Sequence, residues 1–501
     1  MKKFINKKYI CALLVASCFL FVFSQASQDI FSRDLCFMIA PGREILKNGF
    51  INENVWLIGD GYKMPVQSWL YCVILALADN GGDIFSWIFL LVQVFSLFFI
   101  VYMILKVSKI EKYTAISISA IFTAVTPIIG NLRPETITTV FLLIEIFGIE
   151  KYKEKNNKKW LYLLPLTTLL EINIHASMWL PHFLILIAYL VPSVIPSKIN
   201  NNSLFNQKKS LILPFSLMSI SLFLNPYGLD NILYSFKSLL NKESSISEAS
   251  GEMLPIDVIS VQSFVILIGI GIISFLYINK KLNSETLYLF LGFSFMTIIH
   301  RRSETLLYLS MLILIKDLVS FVYTDIKHLN IKKINIGVTS ISLIFIVLTI
   351  LSIPFLGQYK NIDQTYSHIN LSMISAGINK DDNILCGPGI GTVLEYYDYR
   401  NIYCDYRAEL MTKEINEKYD ILREMVDYCF NGYKTIDGKH IKITDEEMMI
   451  FIDKYKFKYF IVTKEEEGFR NFIENSNKFQ EILTIKNIKY LEDATIYIKN
   501  N

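Results

Sequence analysis

Charge is scarce in this chain. Asp, Glu, Lys and Arg make up 19% of the 501 residues, against about 25% in soluble domains. With 52% hydrophobic residues and a mean hydropathy of +0.38, an ordinary soluble protein is excluded for most of the length. The net charge is only +3, so no basic excess marks a nucleic-acid binder. The seven cysteines include no CxxC pair and no Cys/His spacing of the zinc type, which argues against structural zinc and dithiol redox chemistry. A Cys386–Cys404 bridge is compatible with the sequence; unpaired thiols are the expectation. No internal repeat is evident, which counts against a transporter built from inverted halves. GPGIG at 387–391 lacks the rest of a dinucleotide fingerprint and reads as a tight turn into a helix.

What the chain does have is long apolar runs. A membrane span needs about 20 apolar residues. Candidate segments are 9–25, 84–105, 113–130, 135–150, 159–175, 177–195, 210–226, 258–278, 284–299, 303–323 and 333–356. MKKFINKK followed by YICALLVASCFLFVF is read as a retained first span rather than a cleaved signal peptide. The short run 65–78, PVQSWLYCVILALA, is expected to lie at the interface or re-enter. If it does not cross, the lysine-rich loops KVSKIEK, EKYKEKNNKK, SKINNNSLFNQKK, NKKLNSE and TDIKHLNIKK all fall on the cytoplasmic side, as the distribution of Lys and Arg demands. About eleven spans follow, with the N-terminus inside and the tail, 358–501, outside. The domain organisation is then a membrane part, 1–357, and an extracytoplasmic α/β part, 358–501.

On that topology ionisable residues gather at the outer ends of the spans. The first loop supplies Asp29 and Asp34. NLRPE supplies Arg133 and Glu135. EINIHAS supplies Glu171, Asn173 and His175, with Glu171 and His175 four apart on one helix face. NPYG supplies Tyr227, and MTIIHRRSE supplies His300, Arg301 and Arg302. Arginine on that side works against the positive-inside preference, so an anion is expected to offset it. Its planar fork matches phosphate oxygens, and a nearby carboxylate can take a proton from an attacking hydroxyl. A lipid-linked phosphate donor suits this chemistry. A lone histidine at a helix end is more often a structural hydrogen-bonder than a catalyst.

The tail reads as a small α/β domain. NILCG, NIYCD, FKYFIVT and ATIYIKN read as strands, with helices near 412–429 and 444–455. Asp405 and Arg407 follow the second expected strand, where α/β domains often bind ligands.

RDLCFMIAPGREILKNGF and PVQSWLYCVILALADNGG together resemble the first outer loop of bacterial multi-span proteins of the GT-C glycosyltransferase superfamily. Asp34, Phe37, Gly42, Ile45, Leu46, Gln67, Trp69 and Leu70 carry the match. RPE at 133–135, NIH at 173–175, NPYG at 225–228 and CDYRAEL at 404–410 extend it over nearly the whole chain. Cys36, Met38 and Ala176 depart from it, standing where Trp, His and Gly are usual. The resemblance implies a mainly α, polytopic helical bundle followed by an α/β domain. It implies transfer of a sugar from a polyprenyl-phosphate-linked donor to a glycan, lipid or protein acceptor in the cell envelope. Asp34 would be the catalytic base or a metal ligand, with Asp29 the second choice. Arg133, Arg301 and Arg302 would hold the donor phosphate, with Asp29, Glu135, Glu171, Asn173, His175, Tyr227 and His300 in support. No cofactor is expected; a divalent metal is compatible with the family's acidic loop, but no carboxylate cluster in the sequence marks its site. A transporter or flippase of lipid-linked glycan, and a non-enzymatic membrane scaffold, are the alternative readings.

Overall fold

A computed structural model of the 501-residue chain describes residues 7–29, 33–58, 64–126, 132–190, 208–240, 254–325, 341–351, 362–405, 424–436, 439–486 and 493–500. In chain order the helices are α1 (Lys7–Asp29), α2 (Arg33–Asn48), α3 (Trp69–Asn80), α4 (Asp83–Val107), α5 (Lys112–Val125), α6 (Pro134–Lys155), α7 (Leu163–Ile174), α8 (Leu180–Leu190), α9 (Lys208–Ser221), α10 (Leu229–Leu240), α11 (Val261–Ile278), α12 (Ser284–Ile299), α13 (Glu304–Asp325) and α14 (Ile341–Leu351). The tail adds α15 (Ile362–Ser375), β1 (Ile384–Cys386), α16 (Pro388–Tyr396), β2 (Tyr433–Ile436), β3 (Lys439–Lys442), α17 (Asp445–Tyr455), β4 (Tyr459–Val462), α18 (Glu467–Glu474), β5 (Phe479–Ile485) and β6 (Ala494–Lys499). The chain packs as two compact units. One comprises Met1–Ile30, Ile84–Ser238 and Ser250–Tyr359, and the other Phe31–Asp83, Leu239–Ala249 and Lys360–Asn501.

The first unit is helical. Lys7–Ala26, Asp83–Val107, Val261–Ile278 and Arg301–Val322 are long and apolar enough to cross a membrane. The other apolar helices hold 10–17 residues, so the sequence-based figure of about eleven spans exceeds what helix length establishes. One cause is visible at 159–195, read above as two spans. His175 leaves the helical region at φ −153°, ψ 69°, a 3₁₀ turn covers Ala176–Met178, and Pro181 near the start of α8 favours a new helix beginning there. Pro134 opens α6 in the same way, and Asn156 closes it in the left-handed region at φ 51°. Between those ends α6 runs 22 residues, about 33 Å at 1.5 Å per residue. That matches the hydrocarbon thickness of a bilayer. The long helices are exposed along one side, as at Phe95, Phe99, Phe264 and Leu267, and close-packed on the other. Phe290, Leu307, Met311 and Leu314 form one such core. Gly269 lets α11 approach it, because a Cβ there would collide with the Phe290 ring.

The second unit unites the first polar loop with the tail. β1 pairs in parallel with β4, which pairs antiparallel with β6, which pairs antiparallel with β5. β2 and β3 form a separate hairpin. FKYFIVT and ATIYIKN supply β4 and β6 as expected. NIYCD departs from expectation. Only Ile402 pairs, through isolated bridges to Leu57 and Ile384. The Ile58 amide donates to the Ile402 carbonyl at 2.8 Å and the Ile402 amide to the Trp56 carbonyl at 2.9 Å. On its other side NIYCD meets Ile384, whose amide donates to the Asn401 carbonyl and whose carbonyl accepts from the Tyr403 amide, both at 3.0 Å. α2 packs on α3 and on α16. Gly42 allows the first contact, since a Cβ would collide with the Cys72 carbonyl. Arg43 holds the second. It pairs with Asp79, donates to the Tyr396 carbonyl at 2.8 Å, and lies 4.3 Å from the Tyr396 ring centroid. Arg400 bonds Glu44 at 3.2 Å. At twelve residues, α3 is about 18 Å long, well short of a bilayer.

Candidate functional site

The polar residues singled out in NLRPE, EINIHAS and HRRSE meet inside the helical unit. α6 starts at Pro134, so Glu135 lies in its first turn, and the Glu135 carboxylate is 4% exposed. Arg302, in the 3₁₀ turn Arg301–Ser303 before α13, places its guanidinium Nη2 2.8 Å from Glu135 Oε1. Arg133 and His175 also lie within electrostatic reach of that carboxylate. His175 closes α7 and is 1% exposed, with its Nδ1 3.9 Å from Glu171 Oε1. Thr138, one turn below Glu135 on α6, bridges the two. Its hydroxyl donates to Glu171 Oε1 at 2.6 Å and lies 3.0 Å from His175 Nδ1.

Around this cluster the neighbouring loops are fixed by their own side chains. Asn173 Nδ2 donates to the Leu224 carbonyl at 3.0 Å and so ties α7 to NPYG. There Asn225 Oδ1 accepts from the Tyr227 amide at 2.9 Å, an Asx turn, with Gly228 in the left-handed region at φ 54°. Tyr227 is buried. His300 caps α12, its amide bonded to the Met296 carbonyl at 2.9 Å. The Arg301 amide donates to the Leu254 carbonyl at 3.0 Å, while its side chain is exposed with no ion pair among the described residues. The two adjacent arginines therefore differ: Arg302 is committed to Glu135, and Arg301 is available to an anion.

Asp29 is the last residue of α1 and Asp34 the second of α2; their side chains lie outside the described residues. Among the described residues no group of three His, Cys, Asp or Glu side chains is placed to hold a metal ion.

The sequence reading passed over a second set of buried ionisable groups in the same helices. Glu145 of α6 and His182 of α8 are both fully buried, with His182 Nδ1 2.7 Å from Glu145 Oε1. Nearer the far end of α6, Lys316 Nζ lies 3.5 Å from Glu150 and 3.4 Å from Asp317, and the Tyr189 hydroxyl donates to Glu150 at 3.1 Å. The signal was present: each is an ionisable residue inside an apolar run, where burial requires a partner.

In the second unit GPGIG is a turn into α16, with Gly387 as N-cap and Pro388 at the first helical position. Its glycines serve packing. A Cβ on Gly391 would collide with the Cys404 carbonyl, and one on Gly387 with the Glu466 carboxylate. That carboxylate, which accepts from the Thr463 amide at 2.7 Å and hydroxyl at 2.5 Å, occupies the space a phosphate would need. Burial raises the Glu466 pKa above the usual carboxylate value. Cys386, Cys404 and Cys429 are buried free thiols, and burial pushes each well above the ordinary thiol value. Asp405 is buried; Arg407 and most of CDYRAEL lie outside the described residues.

Neither protein-family models nor curated proteins give a match to the sequence. Among solved structures, the archaeal oligosaccharyltransferase AglB from Archaeoglobus fulgidus, in complex with an inhibitory peptide and a dolichol-phosphate, matches 93% of this chain and 70% of its own. The TM-score is 0.62 at 10% sequence identity. At that identity the likeness is one of fold alone: the chain has the fold of the AglB structure.

Proposed function

We propose that this protein is a membrane glycosyltransferase that moves a sugar from a polyprenyl-phosphate-linked donor to an acceptor on the outer face of the membrane. The likeness to a fold solved with dolichol-phosphate supports a lipid-linked donor. The observation that carries the reading to these residues is the unequal pair of arginines. Arg302 is anchored by the buried Glu135, and Arg301 beside it is exposed and without an ion pair among the described residues. An exposed guanidinium without an ion pair suits gripping a phosphate, and Arg302, held by Glu135, fixes the turn that presents it.

In the proposed reaction the acceptor hydroxyl attacks the anomeric carbon of the donor sugar. The bond from that carbon to the phosphate oxygen breaks, and the lipid phosphate leaves with the electron pair. Arg301 and Arg302, with Arg133, would stabilise the charge that builds on the leaving oxygen. Asp34, assigned by resemblance, would accept the hydroxyl proton. His175, Glu171, Asn173, Tyr227 and His300 would keep the loops that carry these groups in place, and Asp29 would support the first loop.

The test is complementation of a deletion strain. Wild-type protein restores the envelope glycan, whereas Asp34→Asn and Arg301→Met, although inserted at wild-type levels, do not. Full restoration by both variants would overturn the reading.

A further inference from the structure

The buried chain around His182 does more than hold helices together. Glu145 lies at the centre of α6, eleven residues beyond Pro134, about 16 Å along the helix axis. Glu145, Glu171 and His182 are each 0% exposed. Glu145 Oε1 lies 2.7 Å from His182 Nδ1 and accepts from the Thr167 hydroxyl at 2.8 Å. On the other side of the imidazole, His182 Nε2 faces Glu171 Oε2 at 3.7 Å, and neither atom has a hydrogen bond among the described residues.

That juxtaposition has a consequence in protons. With Nδ1–H given to Glu145, a neutral His182 presents a lone pair at Nε2. Glu171 Oε2, if ionised, also presents lone pairs. Two facing acceptors out of reach of water are reconciled by one proton between them, on nitrogen or on oxygen. Closing 3.7 Å to a hydrogen bond takes a shift of about 0.7 Å. Two carboxylates flank a single imidazole, so even the imidazolium form leaves one negative charge over; a second proton would make the triad neutral.

A path leads to this place. Thr138 Oγ1 lies 2.6 Å from Glu171 Oε1 and 3.0 Å from His175 Nδ1; with its proton on Glu171 Oε1 it accepts from His175 in the tautomer that carries Nδ1–H. The order His175, Thr138, Glu171 is therefore a continuous run of donors and acceptors. Around it, Glu135, Arg302 and Glu171 act on His175, and Arg302 and Arg133 act on Glu135. Glu145 and Glu171 act on His182.

We propose that Glu145, His182 and Glu171 form a proton-binding site buried among the helices of the first unit, loaded through Thr138 and His175 from the end of α6 where Glu135 and Arg302 pair. In one loading event water gives a proton to His175 Nε2, the Nδ1 proton passes to the Thr138 oxygen, the Thr138 proton passes to Glu171 Oε1, and rotation of the Glu171 carboxyl group brings that proton to face His182 Nε2. Each transfer breaks one N–H or O–H bond and forms another, so one proton is gained at Glu171 and one is lost from water. The inference stands apart from the transferase reading, and neither measurement below involves glycosyl transfer.

The full-length protein in lipid nanodiscs is transferred from H2O to D2O and followed by infrared spectroscopy, with ¹⁵N-histidine magnetic resonance in parallel. At neutral pH the wild type shows a carboxylic-acid or imidazolium signal from the triad that shifts on deuteration. Glu145→Gln/Glu171→Gln loses it. Thr138→Val, which keeps side-chain shape and removes the hydroxyl, retains the signal and slows its shift at least tenfold. If the double variant fails to assemble, Thr138→Val and the histidine spectrum decide alone. Absence of any protonated group on the triad in the wild type overturns the proposal, as does an exchange rate that Thr138→Val leaves unchanged.

Discussion

The junction between the first polar loop and the tail rests heavily on one side chain, and Arg43→Ala measures it. The substitution removes the ion pair to Asp79, the hydrogen bond to the Tyr396 carbonyl and the stacking on the Tyr396 ring. A hydrogen bond from a charged donor is worth about 1.5–3 kcal/mol, and an exposed cation–π contact about 0.5–1 kcal/mol. The Arg43 side chain is 37% exposed, so solvent screening places the sum near the lower end, about 2 kcal/mol. Asp79 keeps the Tyr396 hydroxyl at 3.2 Å, which limits the penalty of leaving it unpaired. A loss of about 2 kcal/mol in the opening equilibrium is about 30-fold. Cys36 of α2 and Cys72 of α3 report that opening, because they are 0% and 3% exposed and react only when the helices separate. Peptide-resolved mass spectrometry of thiol alkylation should show both reacting about 30-fold faster in the variant. Cys11 and Cys18, buried in the helical unit, should keep their wild-type rates. Arg43→Lys keeps the charge without the planar fork and should fall between. Unchanged rates at Cys36 and Cys72, or equal acceleration at all four thiols, would refute the reasoning.

Further outcomes follow from the same geometry. Gly391→Ala places a methyl group against the Cys404 carbonyl and should destabilise the tail by about 1–3 kcal/mol, read as faster alkylation of Cys386 and Cys404. Glu466, its pKa raised mainly by burial, binds its proton more tightly folded than unfolded. Its contribution is therefore fully present below the ordinary carboxylate value and fades as pH rises through the folded value. Glu466→Gln should flatten this decline in chemical denaturation monitored by tail-specific thiol exposure; an unchanged profile would assign the pH dependence elsewhere. Arg302→Met removes the ion pair to the buried Glu135; with the Arg302 side chain 36% exposed and Arg133 also acting on that carboxylate, it should cost about 1.5 kcal/mol, whereas the exposed Arg301→Met should stay within about 0.5 kcal/mol. Fluorescence-detected size exclusion after heating separates the two.

How much of this was legible beforehand depends on whether the cause was local. The apolar runs, the turn at GPGIG and the strands FKYFIVT and ATIYIKN are written in short stretches, and the structure has them where expected. The motifs RPE, NIH and HRRSE announced polar groups at helix ends, and Arg302, Glu135, Glu171 and His175 do come together. Their pairing depends on which helices are neighbours, so the different fates of Arg301 and Arg302 were hidden. NIYCD has strand composition but finds half of its backbone partners in residues 56–58, more than 300 positions away in sequence, and the rest at Ile384. Glu145 and His182 stood in plain view inside apolar segments. The positive-inside argument weighs basic residues in loops and passes over single acids and histidines within spans.

The account's central claim is that the protein consumes a lipid-linked sugar. Mass spectrometry of the envelope glycans and polyprenyl-phosphate precursors of a deletion strain, compared with the parent, tests it most directly. The account predicts that one glycan loses a sugar while the matching lipid-linked precursor accumulates, and that the wild-type gene, but not Asp34→Asn, reverses both. Identical glycans and precursors in the two strains would contradict it.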